Sequence, residues 1–470
     1  MSWLRRHQLL LAVALIGFTA FTLVAWDRAF HQSTDPHFVY QADAWLNGKL
    51  AIDPPPARGD DWAKVETVEL DDGTQVRGRR LQSRPVFKTT TGDEIALVQP
   101  KPGAPAVRWV KRSLGTTTFM SFPPLPALLM VPGAILGGRA ANDVLPTLLV
   151  AALCMPLLLL GLQRLAAAGL ATRSRAEQLW LCALLGFGTV FFFSAVQGRV
   201  WFTAHIVGVA LALLYAWASI EARNPLVAGL ALGLAAVTRT PMAFMFPLFA
   251  CEAWRMTGGM DALRADRKAF VRGYLRRAIP FAAPVVVIAI IAAIYNAARF
   301  GNPTEFGHSY LAVMQQKQME TYGLFSYHYL GRNLAVALTL LPELSSQAPF
   351  VQVSGHGLAL WITTPVFLLL LWPRDRNPLH RALWLTVAAV ALPSLCYQNS
   401  GWVQFGYRFS LDYTPFLVLL LAVGGRPLGR VTRGLIAVGI AVNLFGAITF
   451  ARYDQYYRVG GNAYGTVVAN

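Results

Sequence analysis

Apolar runs long enough to cross a lipid bilayer recur along almost the whole chain. A transmembrane helix needs about 20 mostly apolar residues. Of the 470 residues, 55% are hydrophobic and 14% are charged, whereas a soluble domain carries roughly 25% charged residues. We therefore predict an all-α polytopic membrane protein and exclude nucleic-acid binding, extracellular disulfide scaffolds and disordered tails as its main character. The candidate spans are 9–26, 121–138, 142–162, 178–196, 202–220, 225–238, 241–254, 278–298, 355–373, 380–397, 411–425 and 434–452.

Basic residues outnumber acidic ones, and the formal net charge is +17. In a membrane protein this excess is explained by the positive-inside rule and by anionic lipid headgroups, so membrane lipid is a predicted partner and nucleic acid is not. The cysteines stand in apolar runs without Cys-x-x-Cys spacing, which indicates small buried hydrophobic residues and neither disulfides nor metal ligands. They are Cys154, Cys182, Cys251 and Cys396.

The basic residues also predict an orientation. Arg5 and Arg6 precede the first apolar run, and no small-x-small cleavage site follows it. We therefore interpret 1–26 as an uncleaved signal anchor whose start is cytoplasmic, which places 27–120 outside. The strongly basic segment 255–277 must be cytoplasmic by the same rule.

Two arrangements satisfy that placement. In the first, 121–138 lies along the outer interface while 225–238 and 241–254 cross separately. In the second, 121–138 crosses and 225–254 is one broken span. The positive-inside rule favours the first, because it keeps the basic loop 163–177 in the cytoplasm. We predict about 11 transmembrane helices and an outer C-terminal tail. The other predicted cytoplasmic cations are Arg374, Arg376, His380, Arg381, Arg426, Arg430 and Arg433.

The first outer segment is polar and carries turn signals. Asp71-Asp72-Gly73 and Gly92-Asp93 each separate two short β-prone runs. These patterns predict two hairpins and a small β-rich insert between about 56 and 110. Before the insert, 37–50 is typical of an amphipathic helix lying on the membrane and ended by Gly48.

With this topology, unusual polar residues collect on the outer face. A charge at the centre of a transmembrane helix costs about 2.5–3.5 kcal/mol, so Arg239 and Asp412 are expected to face a wet cavity or a partner. Arg239 follows a break between two apolar runs and is either a phosphate ligand or an interfacial arginine that snorkels. The candidate cavity-lining residues are Arg199, Trp201, His205, Glu305, His308, Tyr310 and Asp412.

Two acidic residues of the first outer segment are candidate catalytic groups. Asp35 is either the N-cap of the 37–50 helix or a carboxylate that acts as general base on an acceptor hydroxyl. Asp43, within that helix, is the second candidate. The sequence has no Walker loop, GxGxxG, HExxH or GxSxG motif, and its histidines do not cluster at ligand spacing. A nucleotide-fuelled pump or a soluble nucleotide-sugar site is therefore excluded from the main interpretation.

Five segments, taken in order, resemble the GT-C class of membrane glycosyltransferases. The resemblance is nearest to the protein O-mannosyltransferase and aminoarabinose-transferase branch, as a divergent bacterial member. Each motif is loose alone, and their common order is more specific. The segments are Asp35-x-x-Phe38…Gly48, Ser121-Phe122-Pro123-Pro124-Leu125-Pro126, Gly229…Gly233…Thr238-Arg239, Tyr295-Asn296-x-x-Arg299-Phe300-Gly301, and Gly401-Trp402…Tyr407-Arg408-Phe409…Asp412…Pro415.

The resemblance implies a fold and a reaction. The donor would be a sugar on a polyprenyl phosphate, and the acceptor a glycan, lipid or protein outside the cell. Asp35 would activate the acceptor, and Arg239, Arg299 and Arg408 would bind the donor phosphate. The protein would be a multi-pass protein of the bacterial inner membrane with its active site facing the periplasm. The expected parts are the anchor 1–26, a periplasmic loop 27–120, a transmembrane catalytic module 121–298, a periplasmic loop 299–354, C-terminal transmembrane helices 355–452 and a periplasmic tail 453–470.

The chain also departs from the family pattern. Asp35 is followed by Pro36, where the family often has Asp-Glu, and the second outer loop offers Arg199 and His205, where the family often has an aspartate. These differences leave open whether the protein requires a divalent cation and whether it is catalytic. The alternative function is a non-catalytic relative, or a flippase or assembly partner for lipid-linked glycans.

Overall fold

A computed structural model describes residues 2–57, 61–101, 107–311, 313, 315–375 and 377–459, with side chains from residue 7 onward. Arg376, the side chains of Arg5 and Arg6, and most of the predicted tail lie outside the described residues. The chain is mostly helical and carries small sheets.

The α-helices are α1 Ser2–Ala25, α2 His37–Leu46, α3 Leu125–Gly137, α4 Val144–Ala167, α5 Arg175–Phe187, α6 Phe191–Ala195, α7 Val200–Ser219, α8 Pro225–Ala236, α9 Pro247–Met256, α10 Gly259–Ala265, α11 Arg267–Phe300, α12 Gln316–Tyr322, α13 Leu330–Leu338, α14 Leu360–Thr363, α15 Pro378–Leu395, α16 Thr414–Val423 and α17 Arg430–Thr449. The strands are β1 Trp62–Leu70, β2 Gln75–Arg80, β3 Val86–Thr89, β4 Glu94–Ala96, β5 Val110–Met120, β6 Glu343–Leu344, β7 Val351–Ser354 and β8 Tyr457–Arg458. The 3-10 helices are Trp26–Phe30, Gly138–Ala140, Ile220–Ala222, Thr240–Met245, His308–Tyr310, Tyr327–Tyr329, Pro365–Leu371, Arg408–Asp412 and Asp454–Tyr456.

Several helices are apolar enough for a membrane, which confirms the membrane character of the chain. Within the described ranges, five helical stretches are also long enough to cross it: His7–Phe30, Val144–Ala167, Val200–Ala222, Arg267–Phe300 and Arg430–Thr449. The number of about 11 crossings stays a prediction, because other apolar segments are divided. For example, the predicted span 355–373 consists of the short α14 and a 3-10 helix.

The apolar segment 121–138 is too short to cross as a helix. Its helix α3 has 13 residues and is therefore about 20 Å long, whereas the hydrocarbon core is about 30 Å thick. α3 packs against α2. This length supports the predicted position along the interface.

One end of the bundle, which we call the sheet end, collects the loops that were predicted to lie outside. Arg452, after α17, donates from Nη1 to the Val24 carbonyl at the end of α1 (3.0 Å). Arg28 donates from Nη1 to Gln197 Oε1, just before α7 (3.0 Å). The ends of α1 and α17 and the start of α7 therefore meet, and the sheet of β1–β5 lies beside them.

The opposite end, which we call the arginine end, collects the basic loops. Arg164 donates from Nη2 to the Ile220 carbonyl (3.2 Å), and Arg173 donates from Nη2 to the Leu421 carbonyl (2.7 Å). Asn377 donates to the Leu170 carbonyl (2.7 Å). The described loops predicted to be cytoplasmic thus share one end of the bundle, as alternating crossings require.

The helix break near Arg239 makes an antiparallel pair of segments. α8 ends at Ala236, and the chain returns through Thr240–Met245 and α9. In α9, Glu252 Oε2 accepts a hydrogen bond of 2.7 Å from the Glu221 amide. Glu221 precedes the start of α8, so the chain has come back to the end from which α8 began. This geometry favours two separate segments over one broken span.

Gly229 and Gly233 allow α8 and α11 to pack closely, a common use of Gly-x-x-x-Gly spacing between membrane helices. A Cβ added at Gly229 would collide with the Phe281 carbonyl, and one at Gly233 would lie 2.7 Å from Ile288 Cδ1. On the rest of its surface α11 is open, since no residue between Phe270 and Arg299 is buried.

The β-rich insert is larger than predicted. The order β4-β3-β2-β1-β5 includes both expected hairpins, with Glu69 paired to Gln75 and Phe87 to Ile95. The insert was predicted to end near 110, but β5 continues to Met120 and pairs antiparallel with β1 over its whole length. The edge strand β5 therefore ends next to Ser121, a few residues before α3 begins.

The orientation of the two ends can be tested by cysteine labelling in intact cells. Arg175 and Arg264 lie exposed at the arginine end, and Lys111 lies exposed on the sheet. We expect Lys111→Cys to react with a membrane-impermeant maleimide, while Arg175→Cys and Arg264→Cys react only after permeabilisation. The parent chain controls for its native cysteines. The reverse pattern would invert the predicted topology.

Candidate functional site

A cavity of about 700 Å³ opens at the sheet end of the bundle. Its wall comes from distant parts of the chain, including the segment before α2, the start of α7, the break after α8, and the segments before α16 and after α17. Polar and aromatic side chains dominate it. They include Asp35, Asp61, Phe122, Arg199, Trp201, Phe202, His205, Thr238, Arg239, His308, Tyr397, Gln398, Asn399, Trp402, Arg408, Phe409 and Tyr457.

Asp35 is held at the cavity wall by its own segment. Ser33 donates from its amide and its hydroxyl to the two carboxylate oxygens of buried Asp143 (2.7 and 2.6 Å). The Asp35 amide donates to Ser33 Oγ (3.3 Å), and the Asp35 carbonyl accepts from the Val200 amide (3.1 Å). The segment is therefore fixed before any ligand enters.

The side chain of Asp35 faces a cation. Its Oδ2 lies 3.5 Å from Arg199 Nε and accepts a hydrogen bond from Thr34 Oγ1 (2.6 Å). The interpretation of Asp35 as an N-cap is wrong, because Pro36 is the N-cap of α2 and no side chain caps it. The carboxylate is thus available to the cavity and not to the helix.

Arg239 is fixed by a buried carboxylate. Its Nε and Nη2 donate to the two oxygens of Asp412 (2.9 and 2.7 Å), and its guanidinium lies 5.3 Å from the centre of the Phe409 ring. Asp412 is 1% exposed. Arg239 is therefore not an arginine that merely snorkels, and two of its three nitrogens are already committed.

The same carboxylate also orients a histidine. His205 Nδ1 lies 3.2 Å from Asp412 Oδ1. His205 Nε2 is buried and has no hydrogen-bond partner among the described residues, although the ring lines the cavity. Asp412 thus links α7 to the end of α8 and leaves one imidazole nitrogen available to a ligand.

Arg408 is the cation of the cavity that lacks a carboxylate partner within salt-bridge distance among the described residues. It is 4% exposed, and its Nη1 donates to the Gly401 carbonyl and to the Val403 carbonyl (3.0 Å). Phe202 and Phe409 each lie 5.4 Å from the guanidinium, and Nε is buried without a partner. A buried cation of this kind is a candidate site for an anion.

His308 closes another part of the wall. Burial lowers its pKa to about 4, so the imidazole is neutral at physiological pH. It lies edge-on to Phe122, with ring centres 6.0 Å apart, and its Nδ1 is a buried atom without a partner. His308 therefore adds no charge to the cavity wall.

Of the residues predicted from the sequence, the cavity brings together Asp35, Arg199, Trp201, His205, Arg239, His308 and Arg408. Five others lie away from its surface. Asp43 instead pairs with Arg139 (3.1 Å), and Glu305 accepts a hydrogen bond from the Gly307 amide (2.6 Å). Tyr310 stacks on Phe300 with ring centres 5.4 Å apart. Asp412 lies behind the two side chains that it binds.

Arg299 is the fifth residue. It is fully buried, and its Nη1 donates to the Met120 carbonyl at the end of β5 (2.8 Å). Its guanidinium also lies 4.1 Å from the centre of the Tyr295 ring. This arginine joins α11 to the sheet and has no access to a phosphate in the cavity.

Sequence reasoning missed a second carboxylate on the cavity wall. Asp61, at the start of β1, accepts a hydrogen bond from Trp201 Nε1 (2.7 Å), and its carbonyl accepts one from Ser121 Oγ (2.6 Å). Tyr397 and the Gln398-Asn399 pair were also missed. The available signal was the polarity of 397–400 at the end of an apolar run.

Among the described residues, no group of three or more His, Cys, Asp or Glu side chains is arranged to hold a metal ion. The four cysteines are unpaired; Cys154 and Cys182 are buried as predicted, whereas Cys251 and Cys396 are partly exposed.

Comparisons with known proteins give no family assignment. No family model matches the sequence, and no curated protein matches it. Among solved structures, the chain is similar to the Archaeoglobus fulgidus oligosaccharyltransferase in its apo form, with a TM-score of 0.41 and 11% identity over 98% of this chain and 57% of that one. The same enzyme tethered to an acceptor peptide containing the NVT sequon gives 0.39 and 14%, with the same coverage. The chain thus spans little more than half of these structures, and we draw no conclusion about activity from a likeness at this level.

The pairing of Arg239 with Asp412 makes a prediction about stability. Removing one partner of a buried ion pair costs about 3–5 kcal/mol, whereas replacing both by apolar residues is often nearly neutral. We therefore expect Asp412→Leu to lower the free energy of unfolding in detergent by about that amount, and Arg239→Met/Asp412→Leu to recover most of it. Thermal or denaturant unfolding of the wild type, Arg239→Met, Asp412→Leu and the double variant measures the coupling. Additive losses would contradict a specific pair.

Proposed function

We propose that the protein transfers a sugar from a polyprenyl-phosphate donor to an acceptor hydroxyl in the cavity at the sheet end of the bundle. The observation that carries the proposal is the juxtaposition, in one cavity, of the fixed carboxylate Asp35 and the buried guanidinium of Arg408, which has no carboxylate within salt-bridge distance among the described residues. The order of motifs that resembles GT-C glycosyltransferases supports it. Glycosyl transfer from a phosphate needs both a proton acceptor and an anion site.

Arg408 is the best-supported phosphate ligand. Burying an ion without a counter-ion costs several kcal/mol, so such an arginine is expected where a ligand supplies the missing charge. Its planar fork suits a phosphate better than a point charge does. Arg239 offers the same phosphate the N–H groups of Nη1 and the second N–H of Nη2, because Asp412 accepts from Nε and from one N–H of Nη2.

Asp35 is the proposed general base. The acceptor oxygen attacks the anomeric carbon of the donor, and the bond from that carbon to the phosphate oxygen breaks. The hydroxyl proton passes to the Asp35 carboxylate, and the polyprenyl phosphate leaves as an anion held by Arg408. Arg199 Nε, 3.5 Å from Asp35 Oδ2, helps to hold the carboxylate at the cavity wall.

The volume of the cavity fits a substrate of this class. Sites for small molecules typically enclose about 300–1,000 Å³, and this one holds about 700 Å³. Trp201, Phe409 and Trp402 supply apolar faces, while the outlying polyprenyl chain stays in lipid. We infer that the sugar phosphate enters the cavity and that the bulk of the carrier does not.

The role of Asp35 can be measured by mass spectrometry of envelope glycans from cells lacking the protein and complemented with its variants. Asp35→Asn keeps the shape of the side chain but removes the base, so we expect transfer to fall by about 10²-fold or more. Asp43→Asn is the matched control, because Asp43 pairs with Arg139 away from the cavity. Full transfer by Asp35→Asn would exclude this base. Glycans that do not depend on the protein at all would favour a non-catalytic relative.

The role of Arg408 can be measured by binding of polyprenyl monophosphate to the purified protein in nanodiscs. A hydrogen bond to a charged group is worth roughly 1.5–3 kcal/mol, so we expect Arg408→Gln to weaken binding by about 10- to 150-fold. Arg408→Lys should retain part of the affinity. The control Arg175→Gln, at an exposed position, should bind as the wild type does. Thermal unfolding of each variant verifies that it is folded. Equal affinity in wild type and Arg408→Gln would remove the proposed phosphate site.

A further inference from the structure

The amino-terminal part of α11 carries a surface that the proposed reaction does not use. Here α11 presents exposed cations on one side, interleaved with exposed apolar residues. Together they form an open patch on one side of the helix. The patch residues, which we call the basic face, are Arg267, Lys268, Val271, Arg272, Leu275, Arg276 and Ile279.

The length of α11 places this face beyond the hydrocarbon. The helix has 34 residues and is therefore about 51 Å long, some 20 Å longer than the apolar core of a bilayer. Its carboxyl end is fixed at the sheet end, where Arg299 binds the Met120 carbonyl (2.8 Å). The excess length must therefore emerge at the arginine end, in the headgroup region.

The two sides of this part of α11 differ in what they contact. Phe270 packs edge-on against Trp254, with ring centres 4.8 Å apart, and Arg277 donates to Thr257 Oγ1 (3.5 Å). That side is therefore attached to α9 and the turn after it. The basic face points the other way, and none of its cations forms an ion pair with the described residues.

The apolar members of the basic face continue into the membrane. Val271, Leu275 and Ile279 follow one another at four-residue spacing and are 43%, 44% and 62% exposed. Farther along α11, Val286 and Ile290 lie on the same side of the helix and are each 54% exposed. Lys268, Arg272 and Arg276 form a parallel row of charge beside its first part.

We propose that the basic face binds one anionic glycerophospholipid of the leaflet at the arginine end. The phosphate lies among Lys268, Arg272 and Arg276, and the acyl chains follow the row from Val271 into the bilayer. Charge complementarity selects an anionic headgroup. A free phosphate is not the preferred ligand, because it has no acyl chains to contact the exposed apolar row. This site lies at the opposite end from the cavity and does not depend on the proposed function.

The test compares lipids and variants in the purified full chain. Native mass spectrometry and thermal unfolding are measured in detergent with phosphatidylglycerol, with phosphatidylcholine of identical acyl chains, or with glycerol phosphate. We expect phosphatidylglycerol to bind and to raise the Tm, and the other two probes to do neither. Each cation near an anionic lipid adds to the binding affinity. Removing three of them in Lys268→Gln/Arg272→Gln/Arg276→Gln should therefore weaken binding by roughly 100-fold.

A second triple variant serves as the control: it removes the same number of positive charges from other positions at the arginine end. Arg374, Arg381 and Arg430 are also exposed at the arginine end, so Arg374→Gln/Arg381→Gln/Arg430→Gln should bind phosphatidylglycerol as the wild type does. Equal losses in the two triple variants would show a diffuse charge effect and overturn the site. Equal binding of phosphatidylglycerol and phosphatidylcholine, or binding of glycerol phosphate, would overturn the choice of ligand. The single variant Arg272→Gln repeats the test with minimal change to the helix.

Discussion

The carboxylate of Asp412 is the interaction on which the cavity depends. It accepts two hydrogen bonds from Arg239 and lies 3.2 Å from His205 Nδ1, so it connects the break after α8, the start of α7 and the segment before α16. In a membrane such a group cannot be compensated by bulk water, and its partners must come from the protein. Three elements are thereby fixed around one charge, and the floor of the cavity is built before a ligand binds.

Local patterns predicted the parts of the fold that depend on neighbours in sequence. The Asp72-Gly73 and Gly92-Asp93 turns indicated the two hairpins, and Gly48 marked the end of α2. β5 was missed because its pairing with β1 spans about 50 residues and its own Ser- and Thr-rich sequence resembles a loop. A strand of this kind is stabilised by its partner and not by its own composition.

The candidate site was predicted less well, for a related reason. Seven of the proposed residues line the cavity, because outer helix ends with unusual polar residues meet at one end of the bundle. The partner of each residue was beyond sequence reasoning. Arg239 and Asp412 are 173 positions apart, and the pairing of Arg299 with the Met120 carbonyl crosses 179. Only the folded chain shows that Arg239 binds a carboxylate, that Arg299 joins α11 to the sheet, and that Arg408 binds backbone carbonyls in the cavity wall.

The close seam between α8 and α11 has a mechanical consequence. α11 is attached to the bundle mainly along this seam, and none of its residues between Phe270 and Arg299 is buried. A helix held on one side has fewer contacts to break than one packed all round, so it is the element most easily displaced. Its far end holds the sheet through Arg299 and through the Arg299 carbonyl, which accepts from Arg77 Nη2 (3.0 Å). Tilting of α11 about its glycines would therefore act as a lever that moves the sheet, and with it Asp61, relative to the rest of the cavity wall.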